Sequence, residues 1–278
     1  MLEPGAVAAL SPRVRRIVAP NPGVMTGAGT NTYLLGREAV AVLDPGPAID
    51  SHIEAILEAA AGRIRWIVCT HTHRDHSPAW QALAEASGAE VWGALPEDNI
   101  AQDESFRPDI ALQHDLALET HEFTLRALHT PGHVANHYCF LLEEERLLFA
   151  GDHIMNGSTV VIIPPSGDMQ AYIHSLQRLL DYPIDCIAPG HGDTMDDAGA
   201  IVAGLVRHRL MREEKVVSGL LSTGRCTVRE LVTVVYDDVH SGLHKIASLS
   251  LTAHLIKLHR ERRAVLYKED DTWELRGE

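Results

Sequence analysis

The sequence predicts an α/β domain followed by a small helical module that closes on a two-stranded wing. Three observations carry that reading. Apolar runs of strand length alternate with stretches of helical spacing between residues 39 and 92, the texture of strand–helix units. His and Asp residues cluster directly after several of those runs, as they do where an α/β scaffold gathers reactive groups at one edge of a sheet. From residue 197 onward the spacing turns helical and then gives way to a hairpin. The expected division is a first domain over 1–205 and a second over 206–278.

Residues 14–19 read as a strand, Asn21-Pro22-Gly23 as a turn, and 31–35 as a second extended run. Residues 39–43 form a buried strand that stops at Asp44-Pro45-Gly46-Pro47. Ile53, Ile56 and Leu57 have helical spacing within 49–61, and Gly62 ends that helix. Residues 64–69 are the next strand, 78–87 a helix with Pro78 in its first turn, and 90–92 a short strand. Residues 93–113, with Pro96, Pro108 and many acids, read as a loop or lid with one helical turn. Residues 116–118 and 123–128 look like paired strands, and 138–142 and 147–150 flank a charged hairpin tip at Glu143-Glu144-Glu145-Arg146. A helix over 169–180 has Asp168 near its N-cap, and 184–188 is the last strand of this domain. Helices follow at 201–218, at 227–236 and at 243–260, the middle one opened by the capping box Thr227-Val228-Arg229-Glu230. Residues 264–267 and 272–275 make the wing. Three helices and a wing describe a winged-helix module.

The chain has 278 residues, long enough for a large core and two domains. It is 45% hydrophobic and 22% charged, which places it with soluble globular proteins. No apolar run approaches the ~20 residues of a membrane span, so no membrane partner is expected. The first residues lack a basic stretch ahead of an apolar one, so no secretory signal is expected. Cys69, Cys139, Cys186 and Cys226 are widely spaced, and three of them sit in apolar runs. They read as buried thiols in a reducing cytoplasm. The net charge of −14 excludes a strongly basic nucleic-acid binder. The charge is uneven, however. Residues 206–278 carry 13 Lys and Arg against 11 Asp and Glu, leaving 11 against 27 for residues 1–205.

The chemistry concentrates at Ile67-Val68-Cys69-Thr70-His71-Thr72-His73-Arg74-Asp75-His76. Successive side chains of an extended chain alternate faces, so His71 and His73 point the same way as the strand ends. Asp75 and His76 follow where the backbone turns toward a helix. Four donors within six residues exceed what one ion needs from one segment, so the spacing points to a two-metal site. Further ligand types stand after later apolar runs: His133, Asp152 and His191.

His71-Thr72-His73-Arg74-Asp75-His76, Pro131-Gly132-His133, Ala150-Gly151-Asp152 and Pro189-Gly190-His191-Gly192 resemble, in order and separation, the metal motifs of the metallo-β-lactamase superfamily. The resemblance covers residues 14–200. It implies a four-layer αββα sandwich with metals at the sheet edges, here followed by a small winged-helix-like domain. It also implies that His71, His73 and His133 bind one ion, that Asp75, His76 and His191 bind a second, and that Asp152 bridges them. The stretch from Pro164 to Tyr172 and the C-terminal module are similar to the beta-lactamase-like protein 2 branch, whose animal members are endoribonucleases.

Other residues are less specific. His137 either contacts substrate or supports the site from behind. His129 and His153 are expected to be structural. Asn31 is expected to stabilise a turn. Asp44 either orients a ligand histidine through its second ring nitrogen or caps its own turn. His240, His244, His254 and His259 have no acids at metal-binding spacing.

The expected activity is binuclear metal-dependent hydrolysis. Hydroxide held between two ions would attack an ester, thioester or related small-molecule bond, with Asp75 as ligand, orienting group and proton shuttle. Two zinc ions per chain suit the His and carboxylate set, and iron or manganese would also fit. A single-strand-specific endoribonuclease is the alternative, with RNA as partner. The acidic balance of residues 1–205 and the 5% aromatic content oppose it. A metal-sensing, nucleic-acid-binding regulator is a third reading, and a complete hydrolytic ligand set disfavours it. The oligomeric state is open.

Overall fold

The computed structural model describes residues 2–96 and 101–277. Contacts divide the chain into two compact units. Met1–Thr130, Asn136–Val160 and Tyr182–Gly199 form the first, and Pro131–Ala135, Val161–Asp181 and Ala200–Glu278 the second.

The first unit holds two sheets. One runs in sequence order: β1 (Val7–Ala9), β2 (Val14–Val18), β3 (Asn31–Leu35), β4 (Val40–Leu43), β5 (Ile64–Val68), β6 (Glu90–Gly93) and β7 (Ile110–Ala111). Pairing is antiparallel up to β4 and parallel from β4 to β7. Parallel neighbours need a crossover, and α1 (Asp50–Ala60) and α2 (Trp80–Ser87) supply two of them. The second sheet has the order β13-β12-β11-β10-β9-β8. Its strands are β8 (Ala117–Glu119), β9 (Thr124–His129), β10 (Tyr138–Leu142), β11 (Leu147–Gly151), β12 (Cys186–Pro189) and β13 (Met195–Asp196). Only the β11–β12 pairing is parallel.

Strand β4 shows why the sheets stack. All four of its residues are buried. Val40 and Val42 join Ile56 of α1 and Leu83 of α2 in one cluster, while Ala41 and Leu43 join Phe140 and Phe149 of the second sheet in another. The two-residue period thus feeds one face to the helices and the other to the facing sheet. Tyr33 and Phe149 tilt against each other across that inner layer, with ring centroids 4.9 Å apart. Each such side chain contributes roughly 1.5–3 kcal/mol by leaving water.

The expected lid over 93–113 is corrected in part. Residues 97–100 lie outside the described residues. Ile110–Ala111 joins the first sheet as β7, and residues 101–103 are bonded to the His71–His76 segment.

The second unit contains α3 (Met169–Leu179), begun by Asp168, whose side chain accepts from the Ala171 N–H. It continues with α4 (Ala198–Thr223), β14 (Cys226–Thr227), α5 (Val228–Val235), α6 (His244–Arg260), β15 (Ala264–Tyr267) and β16 (Thr272–Leu275). Thr227 and Glu230 form the capping box. The wing gains a third strand, because β14 pairs with β16. Helix α4 is continuous across residues 205 and 206. Leu231, Val235, Leu251, Leu255, Leu258 and Trp273 lie in one core. Helix α6 is covered on another side as well. Its Ser250 hydroxyl accepts from the Ile162 N–H, and its Arg260 pairs with Asp168. A cavity of about 150 Å³ lies between Ala253, Ile256 and Arg260 on α6 and the segment Pro164, Pro165 and Met169. No described helix is long and apolar enough to cross a membrane.

Glu213 of α4 joins this unit electrostatically. It lies 2.8 Å from the Lys257 ammonium, 3.2 Å from Arg263 and 3.5 Å from the His254 ring. Burial alone would raise its pKa, but the His254 and Lys257 contacts bring it down to about 2. A depressed carboxylate pKa stabilises the fold above the unfolded value of ~4.3, and that contribution fades as pH falls toward 2. Glu213→Gln should therefore flatten the acid side of the stability curve between these values. It should also cost roughly 3 kcal/mol at neutral pH, the low end for breaking a buried pair because Lys257 keeps Glu261. Urea unfolding at pH 7 and pH 3.5 measures both effects; equal losses at the two pH values would contradict the linkage.

Candidate metal centre

The first unit brings its reactive side chains to the C-terminal ends of β4, β5, β11 and β12, where chain direction and sheet edge leave room for polar groups. β5 ends at Val68, and the next eight residues carry His71, His73, Asp75 and His76 before α2 begins. Asp152 follows β11 directly, and His191 stands two residues after β12.

The predicted ligands of this unit fall into two adjoining groups. His71, His73 and Asp152 offer donor atoms within 4.8 Å of one another, and so do Asp75, His76 and His191. His71 Nε2 is 3.0 Å from His73 Nδ1, as the same-face expectation requires. The rings of His71 and His76 are 4.3 Å apart and join the groups. Asp152 Oδ1 is 3.3 Å from both His76 Nε2 and His191 Nε2. Asp75 Oδ2 is 3.3 Å from His191 Nε2 and 3.6 Å from His76 Nε2. One carboxylate thus belongs to both groups, the placement a bridging ligand needs. His133 lies in the second unit, on the Pro131–Ala135 turn, where its Nδ1 is 3.1 Å from the Val161 carbonyl.

The candidate ligand rings are fixed from behind. Asp44 accepts from the Thr70 N–H at 2.7 Å and from the Thr70 hydroxyl at 2.8 Å, and its Oδ2 lies 2.9 Å from His76 Nδ1. Of the two roles considered for Asp44, orienting a histidine is the one the structure shows. His191 Nδ1 faces the Gly29 carbonyl at 3.3 Å. Asn31 is not a turn stabiliser. Its amide donates to the Pro189 and Gly192 carbonyls at 2.9 and 2.8 Å, holding the loop that presents His191. Tyr33 donates to the Pro189 carbonyl as well. Of the two roles considered for His137, support from behind is the one its contacts favour. It has no exposed surface; its Nδ1 is 2.9 Å from Thr130 Oγ1, and its Nε2 accepts from the Asp152 N–H at 3.2 Å. It props the backbone of Asp152. His153 is also fully buried, its ring 5.8 Å from that of His137.

Gly190 is required by this crowding. A Cβ there would lie 2.7 Å from His76 Cε1 and 2.8 Å from Asp152 Oδ1. Gly151, at φ 48°, would bring a Cβ to 2.7 Å from both His137 Nε2 and Thr70 Oγ1.

The charge states follow from the same packing. Burial holds the His71 imidazole well below its usual pKa, and the His76, His73 and His137 rings add to the effect. Burial also opposes charge on His76, yet Asp75, Asp152 and Asp44 together raise it well above the usual value. His191 is raised to about 9 against its own burial, by Asp152 first and Asp75 next. Burial would raise Asp152, but His191 and His76 hold it well below the ordinary carboxylate range. The Asp75 group is therefore a proton-holding pair of imidazoles set against two carboxylates, a donor set that exchanges protons for a cation.

Residues 25–191 match the family described as Metallo-beta-lactamase superfamily, and residues 227–273 match the Beta-lactamase associated winged helix domain. The chain is 32% identical over 234 residues to a Beta-lactamase-like protein 2 homolog of Caenorhabditis elegans, covering 82% of this chain and 78% of that one. It is 34% identical over 251 residues to an Atrochrysone carboxyl ACP thioesterase of Aspergillus chevalieri, covering 86% and 78%. Among solved structures, a Beta-lactamase domain protein from Burkholderia ambifaria aligns with a TM-score of 0.84 at 19% identity, covering 99% of this chain and 95% of that one.

A raised histidine pKa stabilises the metal-free fold below the unfolded value of ~6.5, and this is lost as pH rises through the folded value. With His191 at about 9, a cation entering at pH 7 must displace a proton, and one entering above pH 9 need not. Calorimetric titration of a divalent ion into chelator-stripped protein, in buffers of different ionisation enthalpy, should show proton release at pH 7 that falls as pH rises through about 9. An equal release below and above that value would contradict the assignment.

Proposed function

The chain belongs to the metallo-β-lactamase superfamily of hydrolases, and on that premise we propose that it is a two-metal hydrolase of ester or thioester bonds in small molecules. The observation that carries this reading is the pair of adjoining donor groups that share the Asp152 carboxylate. The assigned ligands are His71, His73 and His133 for one ion, Asp75, His76 and His191 for the other, and Asp152 for both. The contact of His133 Nδ1 with a backbone carbonyl is the arrangement by which ligand histidines fix their rings. Imidazole and carboxylate donors suit zinc, and iron or manganese are accommodated by the same set. When bound, such ions supply Lewis acidity toward the scissile carbonyl and bring the pKa of water from 15.7 toward ~7.

The chain's own residues do the rest. Asp75, half-buried at the site, orients the attacking water and takes its proton at a carboxylate oxygen. Asp44 keeps the His76 ring from turning, and His137 fixes the backbone at Asp152. The choice of ester and thioester substrates is supported by relatives named Atrochrysone carboxyl ACP thioesterase at 32–34% identity. It is also supported by the acidity of residues 1–205, which would repel a polyanion.

The test is a panel of thioesters, esters, a phosphodiester and single-stranded RNA, each with and without chelator. Thioester or ester turnover that chelator abolishes is expected; preferential RNA cleavage would replace this reading with the endoribonuclease one. Elemental analysis of metal-loaded protein should give two ions per chain. Asp75→Ala should lower kcat by about 10²–10⁴-fold, and near-parental turnover in a metal-replete variant would remove Asp75 from the mechanism.

A further inference from the structure

We propose that Gln102 and Asp103 are positioning residues for the ligand loop at 71–77, setting the spacing of its histidines before a metal arrives. The proposal rests on the two-metal reading. The loop leaves β5 and carries four assigned ligands before α2 begins, so its backbone has no strand or helix ladder of its own. A ligand set must nonetheless be held to within ~0.5 Å to bind well. Asp44 anchors the loop at Thr70 and His76. Residues 72–74 and 77 between and beyond those anchors are held by another segment, residues 101–103.

The bonds are dense. Gln102 forms an isolated antiparallel bridge with His73. The Asp103 N–H donates to the Thr72 carbonyl at 2.6 Å, and the Arg74 N–H donates to the Ala101 carbonyl at 3.2 Å. The Thr72 hydroxyl donates to Gln102 Oε1 at 2.6 Å and accepts from Asn136 Nδ2 at 2.8 Å. The Ser77 hydroxyl donates to Asp103 Oδ2 at 3.0 Å. Asp103 Oδ1 accepts from the Ser105 N–H and hydroxyl at 2.9 and 2.5 Å. Gln102 is 1% exposed and Asp103 8%.

Thr72 is the residue between His71 and His73, so its carbonyl and hydroxyl fix the backbone between the two ligands. The 3.0 Å approach of His71 Nε2 to His73 Nδ1 is then built into the protein. Preorganisation of this kind lowers the cost of binding. At position 103 three donors converge on one carboxyl group, bonds that an apolar side chain cannot make.

The test uses full-length cobalt-substituted protein and follows chelator-driven loss of each ion together with the visible spectrum. Gln102→Met should speed loss of one ion by about 10–100-fold, the usual effect of removing a residue that orients a ligand, and should shift the cobalt bands. Thr72→Val removes the Thr72–Gln102 bond together with the one from Asn136, so metal loss should be at least as fast, and the double variant should be no worse than Thr72→Val alone. Thr72→Ser, which keeps the hydroxyl, should behave like the parent. Asp103→Ala, which removes the bonds to Ser77 and Ser105, is the independent variant if Gln102→Met does not fold, with the same faster loss expected. Release within about twofold of the parent, or strictly additive losses in the double variant, would overturn the clamp while leaving the metal site standing. A parent protein that takes up no cobalt would overturn both.

Discussion

The carboxylate of Asp44 is the interaction on which the rest of the site depends. It stands at the end of β4 and receives the backbone and hydroxyl of Thr70 at the end of β5, so two neighbouring parallel strands stop at one point. Through its second oxygen it meets the ring of His76 six residues further on. Strand geometry is thereby converted into side-chain geometry. The core of Val40, Val42, Ile56 and Ile67 holds β4 and β5 rigid, and Asp44 passes that rigidity to an imidazole.

The cost of such a site is electrostatic. His71, His76 and Asp152 are almost wholly buried, and burying charge is unfavourable unless opposite charges meet. In the group around Asp75 they do meet. Raised imidazole and lowered carboxylate pKa values are two views of one charge cluster, held by contacts of 3.3–3.6 Å. At His71 the pull of Asp152 is outweighed by burial and by the neighbouring rings, which favours the neutral form, the one in which imidazole binds a metal.

The sequence made the local features legible. His71, His73, Asp75 and His76 after an apolar run, the N-cap at Asp168, the Thr227–Glu230 capping box and the strands of the wing all depend on residues a few positions apart. What it hid depends on contacts between distant segments. Asn31 reaches the loop at 189–192 across more than 150 positions, and Gln102 reaches Thr72 across 30. His137 stood four residues after His133, and only the register of β9 and β10 decides that its ring turns inward toward Thr130 and Asp152. The short strands β1, β7, β13 and β14 were missed because two or three residues carry no readable period and exist by pairing with a neighbour. Helix α4 runs past the expected end at 218 to Thr223, through Gly219, with Leu220 buried in the core of the second unit. The role of Asp44 was half visible: the sequence placed it at a strand end, but not which of two partners it would take.

Gly190 bears on how this protein can change. Its missing side chain is the space into which His76 and Asp152 fit, so every other residue type collides with assigned ligands at once. Gly151, on the strand beside it, is constrained in the same way by Thr70 and His137. These positions are closed to drift for as long as the metal chemistry is kept. New specificities in a lineage built on this scaffold must therefore arise from residues outside this crowded cluster. The reaction is inherited as a fixed unit, and divergence is confined to what surrounds it.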